Sequence, residues 1–170
     1  MSKYSLIEAD DDVAWDEFVE ASPQGTIFST SLYLSATSLN FRRYFVFKGP
    51  YETKAAIAVL ESEDLAQVRL DDLVIYNGIM FSHDAHQKTT AARFERIEIT
   101  EFAIGVLLAK YSSLALPLSP HFEDLRPFLW HSSGDGEARR HFSVRIRYTS
   151  YLDITEFAAQ SEDIEMSMFK

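Results

Sequence analysis

The residues best suited to chemistry fall in one loop-like stretch between two apolar runs. It holds two imidazoles, two carboxylates and a guanidinium, which belong to His121, Glu123, Asp124, Arg126 and His131. An arginine can clamp a carboxylate or phosphate through paired hydrogen bonds, and a histidine gains or loses a proton near neutral pH. The stretch is therefore a candidate site for anion binding and proton transfer. In the alternative interpretation, the arginine and the neighbouring rings only pin the loop to the core.

A second group of charges lies near the end of the chain and consists of Arg139, Arg140, Arg145 and Arg147. Side chains two positions apart share one face of a β-strand, so Arg145 and Arg147 would form a basic strip if residues 141–154 are a strand. The formal net charge of the whole chain is −10, which makes this strip a candidate anion-binding surface. A solvated face paired with aspartate and glutamate is the alternative.

A third candidate is the step formed by Tyr76, Asn77 and Gly78 inside the apolar run 74–81. Glycine lets another group approach the backbone closely, so this step could present a phenol or a kinked backbone to a ligand. A tyrosine beside a bulge in a buried strand and a hairpin turn at Asn77-Gly78 are the competing structural interpretations.

Composition excludes several classes of function. The chain has 170 residues, enough for one domain with its own core, and no cysteine, which excludes disulfides, thiolate nucleophiles and cysteine metal sites. No Gly-x-Ser-x-Gly motif supports a serine hydrolase, and His83 and His86 lack a third metal ligand. The negative charge disfavours general binding to nucleic acid or anionic membranes. Without a signal peptide or an apolar run of about 20 residues, we expect a cytoplasmic protein with no membrane insertion.

The helices that must position these residues follow from apolar periodicity and capping residues. The first begins at the acidic run 10–12, ends near residue 22, and carries an apolar face of Trp15, Phe18 and Val19. The second is capped by Ser29 or Thr30 and carries a face of Leu32, Ala36 and Leu39. The longest helix covers 90–110 and has two apolar stripes, so two of its sides should be buried. The first stripe is Ile99, Phe102, Ala103 and Val106, and the second is Phe94, Ile97, Ile104 and Leu108.

Strands are predicted from β-branched and aromatic content between breaker residues, at 4–8, 42–48, 54–61, 74–81, 112–118 and 141–154. The first is expected at a sheet edge, and the second and third as an antiparallel pair. A long loop covers 120–135, with a turn at Asp135-Gly136. Strands with helices packed around them predict an α/β (α+β) fold with a mixed β-sheet flanked by helices.

Several segments together resemble a known family. They are Trp15, the Ser-Pro-Gln-Gly-Thr-Ile-Phe segment at 22–28, the step at 76–78, and the stretch 116–153. In these segments the chain resembles the first half of FemAB-like transferases, two-lobed enzymes built on the GNAT acyltransferase fold. The resemblance implies that residues 1–170 are a single GNAT-like lobe with a GNAT-like sheet, the first of the two lobes of such an enzyme.

Members of that family move aminoacyl or acyl groups from carriers such as charged tRNA onto amino groups, often of cell-wall precursors in peptidoglycan biosynthesis. The resemblance therefore implies an N-acyltransferase lobe that binds the acceptor substrate. In this interpretation the catalytic residues are His121 and Asp124. The substrate-binding residues are Tyr76, Asn77, Gly78, Arg126, Trp130, Arg147 and Tyr148.

The acyl donor is not expected to bind to this chain alone. GNAT folds hold cofactor pyrophosphate at a glycine-rich turn that opens a helix. This chain has six glycines and no Gln/Arg-x-x-Gly-x-Gly/Ala turn. We therefore expect no cofactor within these residues, with acyl-CoA or aminoacyl-tRNA as donor for a complete two-lobed enzyme. The alternative function is a non-catalytic binding or assembly module of GNAT-like fold.

A last helix is predicted from about Thr155 to the final residue, and its end is strongly apolar because of Met166, Met168 and Phe169. An exposed apolar patch of this kind often marks a contact surface. The expected partner is a second GNAT-like lobe, a second copy of the chain or another protein.

Overall fold

A mixed sheet lies at the centre of the chain in the computed structural model, which describes residues 2–83, 89–131, 141–148 and 150. Its six described strands are β1 (Tyr4–Glu8), β2 (Phe41–Lys48), β3 (Glu52–Glu61), β4 (Gln67–Arg69), β5 (Ile79–Phe81) and β6 (Ser113–Leu114). The order across the sheet is β1-β2-β3-β4-β6, and β5 pairs with β3. All neighbours are antiparallel except β4 and β6, which are parallel. The edge position of β1 and the antiparallel pair β2–β3 confirm two predictions.

The described helices are α1 (Asp12–Ala21), α2 (Ser31–Ala36), α3 (Thr90–Lys110) and α4 (Arg126–Trp130), with a 3₁₀ turn at Ile27–Ser29. Capping explains where the first three begin. The Asp11 carboxylate accepts hydrogen bonds from the Val13 and Ala14 amides at 2.9 and 3.1 Å. Thr30 and Thr89 cap α2 and α3 in the same way. The predicted α/β class, with helices flanking a mixed sheet, is confirmed.

β3 is the centre of the fold because both of its faces are buried. Its odd-numbered residues, such as Ile57, belong to a core with Ile104 and Leu107 of α3. Its even-numbered residues, such as Leu60, belong to a second core with Trp15 of α1 and with α2. This alternation is what a strand buried between two layers requires. The sheet therefore has α3 on one side and α1 with α2 on the other.

Two predicted helix faces are wrong. In α2 the buried residues are Ser31 and Leu34, whereas Leu32 and Ala36 are exposed and Leu39 lies beyond the helix end. Leu34 and half-buried Tyr33 are the apolar residues through which this short helix packs on the second core.

In α3 one side is buried rather than two. The buried residues lie on one face and are Ile99, Thr100, Ala103, Ile104 and Leu107. Phe94 and Val106, which were assigned to the predicted stripes, are exposed. Among the described elements, α3 contacts α4 and the strands β1 and β6. Phe102 and Leu108 are half-buried against the core that contains Ile104, whereas Phe94 and Val106 remain at the surface, which is common for apolar residues in folded proteins.

The predicted strand 74–81 is shortened to Ile79–Phe81. The cause is competition for one edge of β3, since β4 pairs with Leu60 and Glu61 while β5 pairs with residues 55–57 of the same edge. The residues before β5, including Asn77 and Gly78, form an irregular bend instead of a strand bulge or a hairpin turn.

The later strand predictions are also corrected. The strand expected at 112–118 is reduced to Ser113–Leu114. Residues 141–148 form no regular strand, and Val144, Ile146 and Tyr148 are exposed. The rest of that predicted strand beyond residue 150, the turn at Asp135-Gly136 and the C-terminal helix lie outside the described residues.

Candidate functional site

A cavity of about 320 Å³ lies where the first half of α3 faces β5, the loop before α4 and the start of α4. It contains two of the predicted site residues, Asp124 and Arg126. The side chains that line it are Gln24, Phe81, Arg93, Arg96, Ile97, Thr100, Phe122, Glu123, Asp124 and Arg126. Guanidinium groups, carboxylates and rings thus converge on one space, which is typical of a binding site for a small polar ligand.

Gln24 holds the loop against the sheet. Its buried side chain donates from Nε2 to the His121 carbonyl at 3.1 Å and accepts from the Phe81 amide at 3.0 Å through Oε1. Gly25 next to it cannot carry a side chain, because a Cβ would lie 1.8 Å from the Val19 carbonyl oxygen. The tight turn after α1 therefore aims Gln24 at two backbone groups that would otherwise be unpaired.

Two aromatic rings that line the cavity, Phe81 and Phe122, belong to a row of rings that anchors α4. Phe81 stacks on Phe122 at 5.6 Å between ring centroids, and Phe122 meets Phe128 edge-on at 5.9 Å. Phe128 continues to Phe142 at 5.3 Å. Such contacts add to the burial of each ring and fix its orientation. The loop is therefore held by its own rings as well as by Gln24.

Asp124 and Arg126 form a close ion pair at the cavity. The Arg126 Nε lies 2.9 and 3.0 Å from the two Asp124 oxygens, and the Arg126 amide donates to the same carboxylate at 3.1 Å. Hydrogen bonds from Arg126 lower the pKa of the Asp124 carboxyl, and those to Asp124 raise the pKa of Arg126. Asp124 is therefore a charged partner of Arg126 and a weak base.

Acid titration should show this pairing directly. Because the pKa of Asp124 is lowered in the folded chain, its ion pair stabilises the fold above the pKa of an unfolded aspartate and loses that effect as pH falls through the folded value. We expect the Asp124 carboxyl carbon in NMR spectra to titrate below the usual aspartate range. In Arg126→Gln its midpoint should move up towards that range. An unchanged midpoint in Arg126→Gln would contradict the pairing.

Arg93 and Arg96 were not among the predicted site residues. The guanidinium carbon of Arg96 lies 5.3 Å from the centroid of the Phe81 ring, and its Nη1 lies 3.8 Å from the Glu123 carboxylate. Arg93 forms no ion pair with any described residue. Both share a face of α3 with Ile97 and Thr100, at the spacing i, i+3, i+4 and i+7.

One signal in the sequence could have revealed these arginines. The positive end of a helix dipole disfavours cations in the first turns. Arg93 lies in the first turn of the predicted helix 90–110, and Arg96 in the next. Cations at an unfavourable helix end, beside an apolar stripe, indicate that a negative group is expected there.

The bend at 76–78 lies apart from the cavity. Asn77 is only 2% exposed, its amide donates to the Pro117 carbonyl at 3.3 Å, and neither polar atom of its side chain has a hydrogen-bond partner among the described residues. At Gly78 a Cβ would lie 2.9 Å from a Leu118 methyl. Tyr76 is half-buried, with its ring 6.2 Å from Phe28. The group that approaches the backbone closely at Gly78 is thus Leu118 of the same chain.

The remaining predicted residues are at the surface. His121 is exposed. It contributes its backbone carbonyl to the described site by accepting a hydrogen bond from Gln24. Trp130 is exposed and lies 5.6 Å from the Arg126 guanidinium. Arg147 and Tyr148 are exposed in the segment without regular strand structure. The basic strip predicted there is not formed by a described strand, and Arg139 and Arg140 lie outside the described residues.

Across the described ranges, no group of three histidine, aspartate or glutamate side chains is arranged to hold a metal ion. None of the described helices combines the length and apolarity needed to cross a membrane.

Comparison with known proteins identifies no relative of this chain. No family model, no curated protein and no solved structure matches the chain. The FemAB-like resemblance consequently depends on the segments quoted from the sequence.

Proposed function

We propose that this chain is the acceptor-binding lobe of a FemAB-like N-acyltransferase and the first of its two lobes. The observation that carries the proposal is the arginine-lined cavity. Three arginines and two carboxylates give its lining an excess of one positive charge, in a chain whose formal net charge is −10. A cavity of that sign attracts and orients an anionic group. Peptide acceptors, which carry both an amine and a carboxylate, meet that requirement.

The proposed roles follow from the local structure. His121 directly precedes the lining residue Phe122 and is held through its carbonyl by Gln24. In the proposal its imidazole takes the proton from the acceptor amine while the amine nitrogen bonds to the acyl carbon and the bond to the carrier breaks. The ion pair with Arg126 lowers the pKa of the Asp124 carboxyl and so makes Asp124 a weak base. In the proposal Asp124 therefore serves to position Arg126.

The test combines binding and transfer. A cell-wall stem peptide with a free amine should bind to the chain in calorimetry, and addition of aminoacyl-tRNA or acyl-CoA with the second lobe present should give an amide product detected by mass spectrometry. His121→Ala should slow that transfer, whereas His141→Ala, at another exposed histidine, should leave it unchanged. Absence of peptide binding would overturn the proposal, and undiminished transfer by His121→Ala would remove the histidine from the mechanism.

A binding module without catalysis is the second candidate function. The lack of a glycine-rich phosphate-binding turn in the sequence favours it. A chain that binds the stem peptide and gives no amide product with any donor, even with a second lobe supplied, would be such a module. Formation of product excludes it.

A further inference from the structure

The arginines of the cavity differ in how their charges are paired, and this difference points to a ligand class. Resting on the acceptor-binding role proposed above, we infer that Arg93 and Arg96 bind a carboxylate attached to an apolar group. We also infer that the Glu123 carboxylate competes with this ligand for Arg96. Glu123 thereby sets the affinity of the cavity.

Arg126 has a hydrogen-bonded carboxylate partner, whereas Arg93 and Arg96 have none among the described residues, although the charge of Arg93 helps to lower the pKa of Asp124. The two Asp124 oxygens accept from Arg126 at hydrogen-bonding distance. The closest carboxylate to Arg96 is that of Glu123, and 3.8 Å is too long for a hydrogen bond. The Arg96 side chain is only 16% exposed, and its guanidinium lies over the Phe81 ring without a hydrogen-bonded anion among the described residues. A ligand carboxylate would supply the missing acceptors.

Glu123 is easily displaced from this arginine. Its side chain is 68% exposed, and such solvated pairs contribute little to stability, typically less than about 1 kcal/mol. It can therefore turn into water when another anion enters, without leaving a buried charge unpaired. Until then it lies where it screens Arg96 from solution.

The charge and shape of the lining favour a carboxylate over a phosphate. One excess positive charge is balanced by a singly charged anion, whereas a doubly charged phosphate would leave the lining negative. Next to the guanidinium groups lie the apolar side chains of Ile97, Phe81 and Phe122. A ligand that joins a carboxylate to an aliphatic side chain, such as the end of a peptide, contacts both parts.

N-acetyl-leucine is a suitable probe, with N-acetyl-leucinamide and inorganic phosphate as comparisons. Binding to the whole chain is followed by NMR titration of the arginine Nε–H signals and the Phe81 and Phe122 amides at low ionic strength. We expect N-acetyl-leucine to bind more tightly than either comparison. Arg96→Gln should weaken its binding at least about tenfold, because a charge-assisted hydrogen bond is lost. Arg69→Gln, at an exposed arginine of β4, should have no such effect.

The decisive variant is Glu123→Gln, which removes the competitor without removing a ligand contact. It should tighten binding of N-acetyl-leucine roughly two- to fivefold, the range set by a solvated ion pair. Glu20→Gln makes the same change in net charge at an exposed position of α1 and should leave the affinity unchanged.

The inference is overturned if N-acetyl-leucine does not bind, if the amide or phosphate binds as well, or if Glu123→Gln changes the affinity no more than Glu20→Gln. Failure of the proposed transferase function is a separate result. Carboxylate binding with these variant effects and no acyl transfer would support this inference while refuting catalysis. Acyl transfer that is insensitive to the acceptor's carboxylate would support catalysis while refuting this inference.

Discussion

Replacement of Trp15 with alanine is expected to lower the free energy of unfolding by about 3–5 kcal/mol, the range for deleting a fully buried aromatic side chain. Trp15 has no exposed surface, and its ring lies 5.5 Å from Phe45 and 5.4 Å from the Arg43 guanidinium carbon. Its indole Nε1 donates to the Ser29 carbonyl at 2.7 Å. The substitution therefore removes packing in the second core and leaves a buried carbonyl without its donor.

Urea unfolding followed by far-ultraviolet circular dichroism measures this change, and the other tryptophan of the chain supplies the control. Trp130 is 68% exposed and contacts Arg126 across its ring, so Trp130→Ala should cost less than about 1 kcal/mol. Trp15→Phe should fall between wild type and Trp15→Ala, because it keeps a ring and loses the indole hydrogen bond. Equal losses for Trp15→Ala and Trp130→Ala would show that the second core does not depend on Trp15.

The parts of the fold that the sequence could predict are those determined by nearby residues. Asp11 and Thr30 cap their helices through contacts two or three positions away, and the bounds 90–110 of α3 follow from a continuous helical pattern. The end of β5 at Phe81 was also predicted, but its beginning at Ile79 depends on how β4 and β5 share the edge of β3. A periodicity in residues 74–81 contains no information about that competition.

The site shows the same division between local and distant information. Asp124 and Arg126 are two positions apart, and their pairing could be expected from the composition of their loop. Gln24 reaches the His121 carbonyl across 97 positions of sequence, so its role emerges only once α1 and the loop are folded together. Arg93 and Arg96 carried a local signal, their place at the start of a helix, but which element they face depends on the packing of α3.

A second large effect is expected at a buried carboxylate between the sheet and the end of α3. Glu61 is almost fully buried and accepts from Arg42 Nε at 2.8 Å and from the Tyr111 hydroxyl at 2.6 Å. Burial raises the pKa of the Tyr111 hydroxyl, which keeps its proton as a donor, and Tyr44 bonds the same hydroxyl at 2.9 Å. Arg42 is thus the cation that balances the charge of Glu61.

Arg42→Ala should lower the free energy of unfolding by about 2–4 kcal/mol, somewhat less than for a fully buried pair because the Arg42 side chain is 32% exposed. The loss comes from leaving the Glu61 carboxylate buried with a single donor. Arg42 also contacts Glu8 at 2.6 Å, but that carboxylate is mostly solvated. Glu8→Ala should therefore cost less than about 1 kcal/mol in the same urea experiment.

A double variant separates the unpaired charge from the lost packing of the arginine stem. Arg42→Ala combined with Glu61→Gln removes the carboxylate charge and keeps an oxygen that accepts from Tyr111. If the unpaired charge causes the instability, this double variant should be more stable than Arg42→Ala alone, although it carries one more substitution. If it is equally or less stable, the contribution of Arg42 is the packing of its apolar stem against the sheet, and the carboxylate at 61 does not depend on a cation.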